Sequence, residues 1–191
     1  MAREISDQKE YVIILASDGS FRLPAKEGQE GAVKRDYETS DGKTGTKWEV
    51  VANALSGVIT DIEFVEATFG RLLQITIKDD QGNLTISVGT NNNFATDFMK
   101  KLPNMDLTQE YRLAPYSFVD DKSKVRKGIS ITEGLEKSDK KVENYYYDGK
   151  TNINGFPEPK GDVEKFTKNK WKSYFGEVED FLVERTKEKA F

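Results

Sequence analysis

Lys47-Trp48-Glu49-Val50-Val51-Ala52-Asn53-Ala54-Leu55-Ser56-Gly57-Val58-Ile59-Thr60-Asp61-Ile62-Glu63-Phe64-Val65 reads as one long strand interrupted at Ser56-Gly57. Trp48, Val50, Ala52 and Ala54 fall on one side, and Val58, Ile62 and Phe64 follow at even steps. A glycine inside a long strand is how a small barrel turns a corner. Ala67-Thr68-Phe69-Gly70 is a turn. Arg71 to Lys78 is a second strand, with Leu73, Ile75 and Ile77 on one face and Leu72, Gln74, Thr76 and Lys78 on the other. Asp80-Gln81-Gly82-Asn83 closes a tight hairpin into a third strand, Leu84 to Val88.

The period then changes. Asn91, Asn92 and Asn93 offer helix caps. Ala95, Phe98, Met99 and Leu102 follow at helical spacing, and Pro103 stops the helix. Glu110 to Phe118 alternates again, with Tyr111 and Leu113 on one face and Arg112, Ala114 and Tyr116 on the other. A charged loop, Asp120 to Lys127, leads to a fifth strand, Gly128 to Thr132. This order predicts a mainly β fold: a five-stranded OB-type barrel over residues 47–133, with a helix between strands 3 and 4.

Residues 1–46 read as an N-terminal hairpin and extended arm. Residues 1–9 are polar and expected to fray, Tyr11 to Leu15 pairs back with Phe21 to Leu23, and residues 24–46 form an arm or long loop. Gly42-Lys43-Thr44 is no phosphate-binding loop: the first glycine is replaced by Tyr37, and no helix follows. Residues 134–160 are a turn-rich linker carrying Tyr145-Tyr146-Tyr147, of which at least one ring is expected at the surface. Residues 161–191 form an amphipathic helix, with Val163, Phe166, Tyr174, Val178, Phe181 and Leu182 in its stripe, widened by Trp171 and Phe175. Gly176 marks a place to kink or split it.

Composition narrows the chemistry. The 191 residues contain neither cysteine nor histidine. Thiolate metal sites, disulfides and histidine-based hydrolases are therefore excluded. Charged residues make up 32% of the chain, yet the net charge is only −4, which is compatible with a local basic track on an otherwise acidic molecule. No apolar run approaches the ~20 residues that span a bilayer. The apolar run Tyr11 to Ala16 has charged flanks, wrong for a secretory signal. A cytoplasmic protein without membrane contact is expected.

Lys47-Trp48-Glu49-Val50-Val51, Leu55-Ser56-Gly57-Val58-Ile59, Phe69-Gly70-Arg71, Lys101-Leu102-Pro103-Asn104-Met105-Asp106-Leu107 and Pro115-Tyr116, together with Gly31-Ala32-Val33-Lys34-Arg35, resemble segments of a group of tailed-bacteriophage proteins described as OB-fold single-stranded-DNA-binding proteins. The resemblance covers about residues 20–133 and implies a role in phage DNA replication or recombination. One departure matters. The chain finishes Lys187-Glu188-Lys189-Ala190-Phe191, with mixed charge on an expected helix, so partner recruitment through a disordered acidic tail tipped with Phe is not expected.

Binding a single strand without sequence preference needs cations for phosphates and rings for bases. The candidates are Phe69 and Arg71 in the first loop, Gln74 and Lys78 on the second strand, and Arg112, Tyr116 and Phe118 on the fourth. Lys122, Lys124, Arg126 and Lys127 follow in the next loop, with Trp48 at the start of the first strand. Phe69, Tyr116 and Arg112 are expected to meet neighbouring nucleotides. The partner is single-stranded DNA or RNA. The C-terminal helix is available for self-association or for replication proteins. A protein-interaction or virion assembly module on the same barrel is the alternative. Asp79-Asp80 and Asp120-Asp121 are carboxylate pairs of the kind that hold Mg²⁺, but they sit at turns with no paired base. Neither catalysis nor a cofactor is expected.

Overall fold

The structure, a computed structural model, describes residues 10–15, 17–39 and 41–190. The expected fraying of residues 1–9 and the place of Phe191 lie outside them. In chain order the elements are β1 (Glu10–Leu15), β2 (Ser20–Ala25), β3 (Ala32–Glu38), β4 (Thr44–Ala52), β5 (Leu55–Ala67), β6 (Gly70–Lys78), β7 (Asn83–Gly89), α1 (Asn93–Lys101), β8 (Glu110–Val119), β9 (Val125–Glu133) and α2 (Lys168–Ala190).

The strands form one open, mixed sheet of nine in the order β3-β4-β2-β1-β7-β6-β5-β8-β9. This corrects the expected five-stranded barrel. Closing such a barrel requires its third and fifth strands, here β7 and β9, to pair, and both of the edges needed are already occupied. The outer edge of β7 pairs in parallel with β1, Glu10 to Val12 against Leu84 to Ile86. On β9, the Ile129 N–H donates to Asp97 of α1 at 2.8 Å, and the Ile129 carbonyl accepts from Lys101. Further along, the Ile131 carbonyl accepts from the Val142 N–H at 2.9 Å. These bonds take backbone groups that a closing ladder would need.

The long first strand is also two strands. It breaks at Asn53-Ala54, not at Gly57. β4 pairs with β2 and β3, while β5 pairs with β8 over Leu55–Val58 and with β6 over Val58–Ala67. Gly57 sits where β5 passes from one partner to the other. At its φ of 154°, an added Cβ would lie 2.3 Å from the Lys78 carbonyl oxygen. Only glycine allows that approach.

Residues 24–46, expected as an arm or loop, hold the end of β2, all of β3 and the start of β4. The β3–β4 ribbon escapes a periodicity test because β3 is exposed along most of its length and buries no apolar face. A buried charge holds it instead. Glu49, 3% exposed, accepts from Arg35 Nε at 2.7 Å and Nη2 at 3.1 Å, with Lys47 Nζ also at 2.7 Å.

The core gathers Phe21, Leu73, Ile75, Ile86, Leu113 and Ile131 from the sheet and Phe94, Phe98, Met99 and Leu102 from the α1 region. Burial of side chains this size stabilises by roughly 1.5–3 kcal/mol each. Asn92 caps α1 by accepting from the Phe94 N–H, and Pro103 lies in the 3₁₀ turn that ends it. Helix α2 runs unbroken through Gly176. Its C-terminal half docks through Val178, Leu182, Val183 and Thr186. Between α1 and α2, residues 134–160 contain no strand or helix, only isolated bridges. Tyr146 is buried there, with Tyr145 and Tyr147 exposed on either side. Among the described residues no helix is long and apolar enough to cross a membrane.

Two predictions follow from this architecture. Gly57→Ala lowers stability by about 2–5 kcal/mol through overpacking and backbone strain. At Gly176 an added Cβ meets nothing within 4 Å, so Gly176→Ala raises stability by up to about 1 kcal/mol. Urea unfolding of the two variants reads both signs, and an unchanged midpoint for Gly57→Ala contradicts the close approach.

The second concerns acid. Hydrogen bonds from Arg35, aided by Lys47 and opposed by burial, lower the Glu49 carboxyl from 4.5 to about 2. The unfolded chain therefore takes up this proton first. The stability that Glu49 provides is complete above pH ~4.5 and disappears as pH falls towards ~2, with roughly 3 kcal/mol as its upper bound. Glu49→Gln should remove that part of the pH dependence. Parallel stability curves for wild type and variant across this window would overturn it.

Candidate functional site

β8 carries its sequence pattern into space. Tyr111, Leu113 and Pro115 are buried, and Arg112, Ala114, Tyr116 and Phe118 take the other face. β5 leaves β8 after Leu113, so Pro115 needs no N–H partner on that side. From there β8 and β9 continue as a two-stranded ribbon, with Tyr116 opposite Gly128 and Phe118 opposite Arg126. The β1–β2 turn lies close behind: a Cβ on Gly19 would meet the Tyr116 backbone at 2.4 Å.

Two rings stand together on this face. Tyr116 and Phe118 have centroids 5.8 Å apart and planes tilted by 38°. Gly128 makes room for Tyr116, since a Cβ there would lie 2.4 Å from the Tyr116 hydroxyl and 2.5 Å from Asp97 Oδ2. The Tyr116 ring is half-buried, and burial, with the nearby Asp97 charge, raises its hydroxyl pKa. Phe118 is the free ring, 55% exposed. Tyr116, Phe118, Asp120, Arg126, Ser130 and Lys141 line a cleft of about 480 Å³.

The turn beyond the rings is organised by Asp120. Its Oδ1 accepts from the Lys122 and Lys124 N–H groups, each at 2.9 Å, and its Oδ2 from Arg126 Nε at 2.8 Å. These bonds, the Lys124 N–H first and then Arg126, lower its pKa. Asp120 is thus tied into the turn and to Arg126. Lys122, Lys124, Lys127 and Lys141 have no ion-pair partner among the described residues. Asp79 plays the same structural part at the β6–β7 turn, accepting from the Gln81 and Gly82 N–H groups. Both carboxylate pairs noted in the sequence therefore contain a turn-forming aspartate.

The structure gathers Tyr116, Phe118, Lys122, Lys124 and Arg126 at one end of the β8–β9 ribbon, with Arg112 further along the face of the two rings, while Lys127 lies opposite Ser117 on the other face. It separates the others. Phe69 is 96% exposed, but it sits at the β5–β6 turn, at the opposite end of β5 from the β8 pairing. The structure therefore does not bring Phe69 beside Tyr116. Gln74, expected on an outer face, is 8% exposed, because β6 lies between β5 and β7 and short polar side chains there are flanked on both sides. Arg71 reaches Glu66 at 3.0 Å and Asp180 of α2 at 3.6 Å, and the Glu66 bond, followed by nearby carboxylate charge, raises its pKa. It fastens the helix. Lys78 is exposed at the end of β6, and Trp48 is half-buried between Ala25 and Lys34. Lys141, absent from the sequence-based set, comes in through a bridge to Thr132. Its position in a charged loop gave no signal.

A second cleft, of about 730 Å³, runs along α2 and has Glu177, Asp180 and Glu184 in its lining. That charge is the wrong sign for phosphate.

In comparisons with known proteins, no family model matches this chain, and no curated protein or solved structure is found similar to it.

Proposed function

We propose that the chain binds single-stranded DNA along the outer face of the β8–β9 ribbon and does not catalyse a reaction on it. The observation that carries this reading is the exposed Phe118 ring, paired with the half-buried Tyr116 ring, beside a turn whose lysines lack ion-pair partners. Rings stack on bases only where the base faces are open, and lysines follow the phosphates. In a duplex those faces are covered by neighbouring pairs, so the chemistry selects a single strand. A role in DNA replication or recombination, the expectation attached to phage single-strand binders, is part of this proposal.

Titration with single- and double-stranded oligonucleotides of equal length, at two salt concentrations, tests this. Single strands bind more tightly, and log K falls with log salt by roughly 0.7 for each phosphate neutralised. Equal affinity for duplex, or no binding at low salt, sinks the reading. A single-stranded RNA of the same length in the same titration separates the two nucleic acids.

Phe118→Ala should weaken binding by about 1–3 kcal/mol with the salt slope unchanged. Its exposure leaves folded stability nearly intact. Lys122→Ala and Lys124→Ala should each reduce the slope by roughly 0.7 for any phosphate they contact. Tyr116→Ala costs both affinity and stability, because its ring is half-buried across Gly128. Phe118→Ala binding like wild type would remove the ring face from the site.

A further inference from the structure

Helix α2 docks on the core from Tyr174 onward: Val178, Leu182, Val183 and Thr186 are buried, and Tyr174 and Phe181 pack against the core. Asp180 to Arg71 and Glu179 to Thr90 fix this part to the sheet, and the Tyr174 hydroxyl reaches the Pro157 carbonyl. The first two turns are different. Lys168, Trp171, Lys172 and Phe175 fall at i, i+3, i+4 and i+7, the spacing of one helical face. Trp171 and Phe175 stack at 5.6 Å with planes 21° apart, and Phe166 closes on Trp171 at 5.0 Å. Phe175 is 59% exposed. Lys168 and Lys172 have no ion-pair partner among the described residues. The first turn carries no acid, and the acids of α2 begin at Glu177.

This face shows the exposed Phe175 ring and the half-buried Trp171 ring beside lysines without ion-pair partners, a charge and shape complementary to bases on a phosphate chain. We propose that Trp171 and Phe175, with Lys168 and Lys172, form a second contact for single-stranded nucleic acid, apart from the β8–β9 ribbon. The proposal rests on the single-strand reading of the ribbon.

The chain has two tryptophans, so full-length Trp48→Phe leaves Trp171 as the only reporter. It is titrated with a long oligothymidylate, reading Trp171 emission together with the anisotropy of the labelled strand. Emission is expected to be quenched in step with binding. Trp171→Ala or Phe175→Ala should each weaken binding between about 5- and 150-fold. Lys168→Glu with Lys172→Glu should flatten the salt dependence. Binding that depends on Phe118 but leaves Trp171 emission unchanged overturns the second contact while the ribbon site stands. No binding at low salt removes the single-strand reading and this contact with it. Emission that shifts with protein concentration, and not with the oligonucleotide, assigns the face to a second copy and also overturns the proposal. If Trp48→Phe does not fold, fluorotryptophan in the unaltered sequence gives the same readout by ¹⁹F NMR.

Discussion

Glu10 to Val12 pair in parallel with Leu84 to Ile86, and the next three residues, Ile13 to Leu15, pair antiparallel with Ser20 to Arg22. One strand of six residues thus changes partner halfway and stitches β2, β3 and β4 to β5 through β9. Val12, at the changeover, is fully buried. Because β1 fills the edge of β7, the sheet cannot close on itself there. The chain then has free edges to manage, and α1 manages the one that matters. Asp97 and Lys101 satisfy both backbone groups of Ile129 while bonded to each other at 2.9 Å.

That clamp also shapes the candidate site. Asp97 lies beside the Tyr116 hydroxyl above Gly128, so the carboxylate that protects the edge of β9 faces the ring lying across it. A side chain at position 128 would push Tyr116 off the sheet and press on Asp97. Site geometry and edge protection therefore share one small residue, and the ring pair is held by the core helix even though the ribbon beyond Pro115 has left β5.

Much of this was legible in the sequence, for identifiable reasons. Strands with one apolar face announced themselves: Leu73, Ile75 and Ile77 in β6, and Tyr111 and Leu113 in β8. The helix from its Asn caps to Pro103 did too. Its capping and breaking chemistry is local. What was not legible is pairing, because period-2 alternation says which face is buried and not which neighbour is hydrogen-bonded. Trp48 and Val50 carry the alternation of a barrel strand, yet β4 pairs with β2 and β3. Gly57 was recognised as special, but its cause is the Lys78 carbonyl, a residue far along the chain. β3 gave no signal because its ribbon is held by the Arg35–Glu49 pair and not by an apolar face. At the site, Phe118 and the lysines beyond it were visible. The loss of Arg71 to Glu66 and Asp180 depends on where α2 docks, and no local pattern encodes that.

The charge distribution explains how a net-acidic chain presents a basic surface. Several of its carboxylates are drawn into structure. Glu49 is buried under Arg35 and Lys47, Asp97 clamps Ile129, Asp120 and Asp79 tie turns, and Glu66 and Asp180 hold Arg71. Each such acid has its field cancelled locally by a cation or backbone N–H. Lysines 122, 124, 127 and 141 around the ribbon, and 168 and 172 at the start of α2, are left without partners. At physiological salt a charge is felt over only ~8 Å. The field at the ribbon is therefore set by those lysines and by Asp121 in the same turn, and not by the total of −4.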